Sequence, residues 1–154
     1  MTGNTDFTAD VVDNVTTPND PNLGSFRAAV VAGVPFVMVA LATYTRIDPG
    51  RLAAFSPRIM RGLLRQQMHF GGVIVSDDVG AAAAVADVPT AVRGIDFLAA
   101  GGDLITSEGL AAAEVMDQAV LQRAAADSAF RATVDSAVMR ILGAKQAYHL
   151  MPCR

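Results

Sequence analysis

Tryptophan is absent from this chain, cysteine occurs once and histidine twice, and each scarcity removes a class of chemistry. The lone cysteine, Cys153, stands next to the last residue. It therefore provides neither an internal disulfide framework nor a thiolate metal site, and a reducing compartment is compatible with it. His69 and His149 are far apart in the chain, and no carboxylate cluster has ligand spacing, so neither a metal nor another cofactor is expected. Charge is also sparse, at 18% of residues with a net charge of −3. There is no broad electropositive surface to hold a phosphate backbone, which argues against a nucleic-acid partner. Long apolar runs are missing as well: the longest, Val34 to Ala42, has about half of the roughly 20 residues a membrane-spanning helix needs, so no membrane segment is predicted. The opening residues lack a basic stretch followed by an apolar one, so the expected location is the cytoplasm. No glycine-rich phosphate loop follows a strand pattern, since Gly101-Gly102 follows a predicted helix, and a small nucleotide-binding α/β domain is correspondingly weak.

What is present is apolar and rich in alanine. Hydrophobic residues make up 52% of the 154 and mean hydropathy is +0.36, which favours helices packed closely on a sheet. The length suits one domain with a real core. Residues 1–23, rich in Thr, Asn, Asp and Pro, are expected to be a flexible surface segment, with the folded domain over 24–154. Within that domain the patterns predict a short helix over Ser25 to Ala32 and a strand over Val34 to Leu41. Asp48-Pro49-Gly50 signals a turn, and Ser56-Pro57 opens a helix with Ile59, Leu63, Leu64 and Met68 on one face. A strand over Gly72 to Ser76, a helix over Thr90 to Ala100 closed by Gly101-Gly102, and a short strand over Asp103 to Thr106 follow. From Gly109 two helices are expected, broken near Ala126-Asp127-Ser128, where Asp127 or Ser128 can cap the second. Strands separated by helices imply βαβ crossovers and a parallel sheet, read here as three consecutive βα units with a helical closure.

The most informative stretch is Gly71 to Gly80, where the β-branched run Val73-Ile74-Val75 ends in Ser76-Asp77-Asp78. An apolar run bounded by glycine is the pattern of a strand covered on both faces, and the carboxyl ends of such strands are where chemistry is done. Adjacent residues of a strand point to opposite sides, so Asp77 and Asp78 cannot share a pocket. One is a candidate catalyst and the other a structural partner. The plain alternative is that Asp77 merely ends a strand and caps the next element.

Taken in order, several segments resemble the catalytic domain of glycoside hydrolase family 3, especially its bacterial β-N-acetylhexosaminidase branch. They are Val37-Met38-Val39 with Ala42-Thr43-Tyr44 and Ile47-Asp48-Pro49, then Phe55-Ser56-Pro57 with Leu63-Leu64-Arg65. Phe70 to Asp78, Ala99 to Leu104 and Val134 to Lys145 complete the series. The resemblance implies an α/β fold that is a partial (β/α)₈ barrel, about its last three βα units with C-terminal helices, because a whole barrel needs ~250 residues. It implies hydrolysis of terminal β-linked N-acetylglucosaminides by double displacement, with a carbohydrate as partner. It also puts Asp77 at the position of the nucleophile and turns Asp78 away toward nearby backbone groups.

The departures count too. The family's usual Ser-His after the first strand is replaced by Ala40-Leu41, which removes a polar group expected to line the sugar pocket, and Ala81 stands where a methionine is common. Neither His69 nor His149 is spaced as a proton donor to Asp77, and both read better as surface or boundary residues. With no visible general acid, hydrolysis by these residues alone is expected to be impaired, because acid–base assistance is typically worth ~10²–10⁴-fold. Part of a barrel also leaves open strand edges, so self-association, or pairing with a complementing N-terminal half, is expected. A non-catalytic remnant acting as a partner-binding module is the alternative.

Overall fold

The computed structural model describes residues 3–151, and Cys153 lies outside them. The chain is a mixed α/β fold with parallel sheets. Two short strands, β1 (Val12–Asp13) and β3 (Thr43–Tyr44), pair parallel in a small sheet. Strands β2 (Phe36–Val39), β4 (Val73–Asp78) and β5 (Leu104–Thr106) form the other sheet in the order β2-β4-β5, all parallel. The connections carry helices: a π-wound helix over Arg58–Gln67 between β2 and β4, α2 (Thr90–Ala100) between β4 and β5, then α3 (Leu110–Ala126) and α4 (Ser128–Ala147). Helix α1 (Gly24–Val31) precedes β2.

Local chemistry explains most boundaries. Ser56 Oγ accepts from the N–H of Ile59 at 3.2 Å and donates to Asp48 Oδ2 at 2.7 Å, so the predicted cap is made and also tied to the preceding turn. The predicted face of that helix, Ile59, Leu63, Leu64 and Met68, is buried. Its winding is wider than expected, with the N–H of Met68 donating to the carbonyl of Leu63 at 2.9 Å, and nothing in its side chains signals this. Helix α2 stops at Gly101, whose φ of +112° is the left-handed conformation glycine adopts freely. Asp127 accepts from the N–H groups of Ala129 and Phe130 and so starts α4 at the predicted break.

The two faces of the β2-β4-β5 sheet differ. Val37, Val39 and Ile74 pack with the π-wound helix and Phe97 of α2 in the main core. On the other face the register lines up Met38, Val75 and Leu104 across the three strands, with Phe36 beside Val73. Phe36, Met38 and Leu104 are 44%, 63% and 38% exposed, so this apolar face is uncovered along its outer strands, while Val73 of the central strand is buried.

Two expectations need correction. Part of the opening segment is packed: Val11 is 1% exposed, and β1 is fixed on β3. The pairing escapes a periodicity reading because each strand is only 2 residues long and its partner is distant in sequence. The first predicted strand is also shorter: it spans only Phe36–Val39, and Leu41, beyond its end, is fully buried in the core.

Candidate active site

Strand β4 runs through both acids and ends at Asp78. Between the pairs Val75↔Leu104 and Asp78↔Thr106 the register shifts, a bulge that sits at the carboxyl end of the strand. Bulges of this kind re-aim side chains beside active sites. Ser76 supports it from the buried face: its Oγ accepts from the N–H of Thr106 at 2.9 Å, where the ladder itself is interrupted.

The two carboxylates part as strand alternation requires. Asp78 is 8% exposed and accepts three backbone bonds, from Gly80 at 2.8 Å and from Ala81 and Glu108 at 3.1 Å. It folds the loop after β4 back on itself and joins it to the loop after β5. Asp77 is half-buried. Its Oδ1 accepts from the N–H of Asp78 at 2.8 Å and its Oδ2 from Thr5 Oγ1 at 3.4 Å. Both carboxylate oxygens are oriented, and no cation is paired with Asp77 among the described residues.

Arg93 of α2, absent from the sequence-based candidates, holds the same loop from below. Only 8% exposed, it donates to the carbonyls of Val88 at 2.8 Å, Val79 at 3.0 Å and Gly80 at 2.9 Å. It lies on the same face of α2 as the buried Phe97 and Ala100, but an arginine there is not distinguished by sequence from one that snorkels out to solvent. At the other end of β4, Asp103 binds Arg65 at 2.5 Å, Arg140 at 2.9 Å and the N–H of Ile74 at 2.8 Å. Burial lowers the Arg65 guanidinium from its ordinary value, an effect the neighbouring Asp103 carboxylate opposes. This cluster joins the π-wound helix, β4 and α4 at the end away from Asp77.

The remaining candidates fall elsewhere. His69 and His149 are exposed, each just past a helix end with φ of +55°, and His69 precedes β4 at the end opposite Asp77. Leu41 is a core residue, and Ala81 is exposed with its N–H bound by Asp78. An apolar cavity of about 190 Å³ lies by the free edge of β2, lined by residues that include Phe26, Val39, Tyr44 and Leu63 but not Asp77. Such a lining suits apolar side chains and offers little to hydroxyl-rich sugars. Among the described residues no cluster of three or more His, Cys, Asp or Glu is arranged for a metal, and no helix is long and apolar enough to cross a membrane.

Residues 11–144 match the profile of the "Glycosyl hydrolase family 3 N terminal domain". The chain belongs to glycoside hydrolase family 3. The crystal structure of β-N-acetylhexosaminidase from Beutenbergia cavernae DSM 12333 superposes with a TM-score of 0.89 and is 46% identical, covering 94% of this chain and 43% of that one. A β-hexosaminidase of Stenotrophomonas maltophilia (strain K279a) is 38% identical over 86 residues, 54% of this chain and 25% of the relative. The β-N-acetylglucosaminidase from Thermotoga maritima, 20% identical with a TM-score of 0.74, shares the fold and covers 89% of this chain. The family 3 likeness is thus to the β-N-acetylhexosaminidase branch. The matched region spans about a quarter of the length of its curated relatives.

Proposed function

We propose that this chain supplies the nucleophile-bearing part of a retaining family 3 glycosidase acting on terminal β-linked N-acetylglucosaminides, with Asp77 as nucleophile. The observation that carries the reading is the separation of the two acids: Asp78 is consumed by three backbone N–H groups, while Asp77, one residue before the end of the strand, is only half-buried. In the reaction, an Asp77 oxygen attacks the anomeric carbon as the glycosidic C–O bond breaks, giving a glycosyl ester. Water then attacks the same carbon and releases the carboxylate. The leaving oxygen needs a proton, and the donor is proposed to come from further βα units that complete the barrel of which β2, β4 and β5 form a part. The uncovered row of Met38, Val75 and Leu104 supports that completion, as does the free edge of β2.

A sugar whose leaving group requires no proton tests Asp77 without the missing donor. An N-acetylglucosaminyl fluoride with a second ring fluorine, which slows hydrolysis of the ester, should add one sugar mass to the chain with loss of fluoride. Peptide mapping should place it on Asp77, and Asp77→Asn should take none. A sugar attached elsewhere, or none on this chain even when joined to the preceding half of a family 3 barrel, defeats the proposal. The same uncovered face favours a second reading, a partner-binding module without catalysis, which predicts association in sedimentation with no ester formed.

A further inference from the structure

The residues that precede β1 place a hydroxyl on the proposed nucleophile. Between residues 3 and 10 every side chain is exposed except Thr5, at 8%. A threonine buried in an otherwise exposed polar run needs a reason. Its hydroxyl is directed at Asp77 Oδ2 across 72 residues of sequence at 3.4 Å, a looser contact than the ~2.5–3.0 Å of an ordinary O–H···O bond.

The backbone holds this contact in place. The N–H of Ala84 donates to the carbonyl of Thr5 at 3.0 Å, and that of Ala83 to the carbonyl of Asp6 at 3.1 Å. Asn4 closes a turn around them, with its Oδ1 accepting from the N–H of Asp6 at 2.9 Å and its carbonyl from that of Phe7 at 3.2 Å. The segment thus lies as a strap on the short 3₁₀ turn Ala83–Val85. The loop leading to that turn is clamped by Asp78 and Arg93. The strap therefore docks on a rigid base.

Asp77 has one donor for each oxygen among the described residues. The N–H of Asp78 fixes Oδ1, but it is adjacent in sequence and leaves the carboxylate free to turn about that single bond. The Thr5 hydroxyl is the second point that sets the plane of the carboxylate. We infer that Thr5 is a positioning residue for Asp77, holding its carboxylate in the orientation from which it attacks a sugar's anomeric carbon. This rests on the proposed role of Asp77. Attack requires alignment as well as proximity, and small misplacements of reacting groups cost large factors in rate.

The test compares wild type with Thr5→Val, which keeps the shape and removes the hydroxyl, and Thr5→Ser, which keeps the hydroxyl. With the difluorinated sugar as probe, Thr5→Val should slow ester formation about tenfold, and Thr5→Ser should stay within about twofold of wild type. Amide exchange at Ala83 and Ala84 should be the same in all three, showing the strap still docked. Labelling of Thr5→Val at the wild-type rate overturns the inference while leaving Asp77 as nucleophile intact. Labelling of Asp77→Asn overturns the proposed function instead. If no chain accepts the sugar, three-bond couplings at Asp77 still decide. One χ1 rotamer in wild type and Thr5→Ser, averaged in Thr5→Val, supports positioning, and the same rotamer in all three refutes it.

Discussion

Two neighbouring aspartates should respond to truncation in opposite ways. Asp78 accepts three backbone N–H groups at 2.8, 3.1 and 3.1 Å from a site 8% exposed. Hydrogen bonds to a charged acceptor contribute ~1.5–3 kcal/mol each. The three donors lie at partly buried positions that water reaches once the side chain is gone, so about 1 kcal/mol per bond is the appropriate share. Asp78→Ala should therefore cost about 3 kcal/mol, a large part of the ~5–15 kcal/mol that holds a domain together. Asp77 has one local donor and one at 3.4 Å, and Asp77→Ala should cost no more than about 1 kcal/mol. In urea unfolding followed by circular dichroism, with a slope of about 2 kcal/mol/M, the midpoint should fall by about 1.5 M for Asp78→Ala and by less than about 0.5 M for Asp77→Ala. Equal losses, or a larger one at Asp77, would show that the acids are not divided between structure and chemistry as described.

At the other end of β4, Asp103→Ala removes the counter-charge of Arg65, whose side chain is 16% exposed, and strands the N–H of Ile74. The same unfolding measurement should show a loss of about 3–5 kcal/mol, the range for breaking a buried pair, and a loss under about 1 kcal/mol would refute the cluster's role. The Asp13 carboxyl is held below its ordinary value: burial pushes it up, but the N–H groups of Thr16 and Val15 and the Thr16 hydroxyl outweigh that. Its contribution to stability is therefore present above the unfolded value of about 3.9 and is lost as pH falls through the lower folded value. Acid unfolding of Asp13→Asn should be less steep below about pH 4 than that of wild type, and an unchanged slope would contradict the assignment.

Much of the fold was legible because it is set locally. The apolar run into Ser76-Asp77-Asp78 marked β4, Gly101 marked the end of α2, and Asp127 marked the start of α4. Strand alternation also required that only one of the paired acids face any given pocket. The rest was hidden for a physical reason: strands β1 and β3 are 2 residues each and exist only through one another. Arg93 looks like a solvated helix residue until the loop it holds is folded over it. Residues 1–23 read as loose because their composition is polar, yet Thr5 and Val11 are buried by contacts with distant parts of the chain.

The sequence by itself determined where the main helices and the three strands of the larger sheet fall, that an acid pair closes the central strand, and which family the pattern resembles, since these depend on residue type and short spacing. Only the tertiary structure decided that Asp78 gathers backbone amides from two separate loops, that Asp103 gathers Arg65 and Arg140, and that a threonine from the opening segment reaches Asp77. Those contacts join residues 30, 37, 38 and 72 positions apart, and no local preference encodes a partner that comes near only when the sheet and its helices have packed.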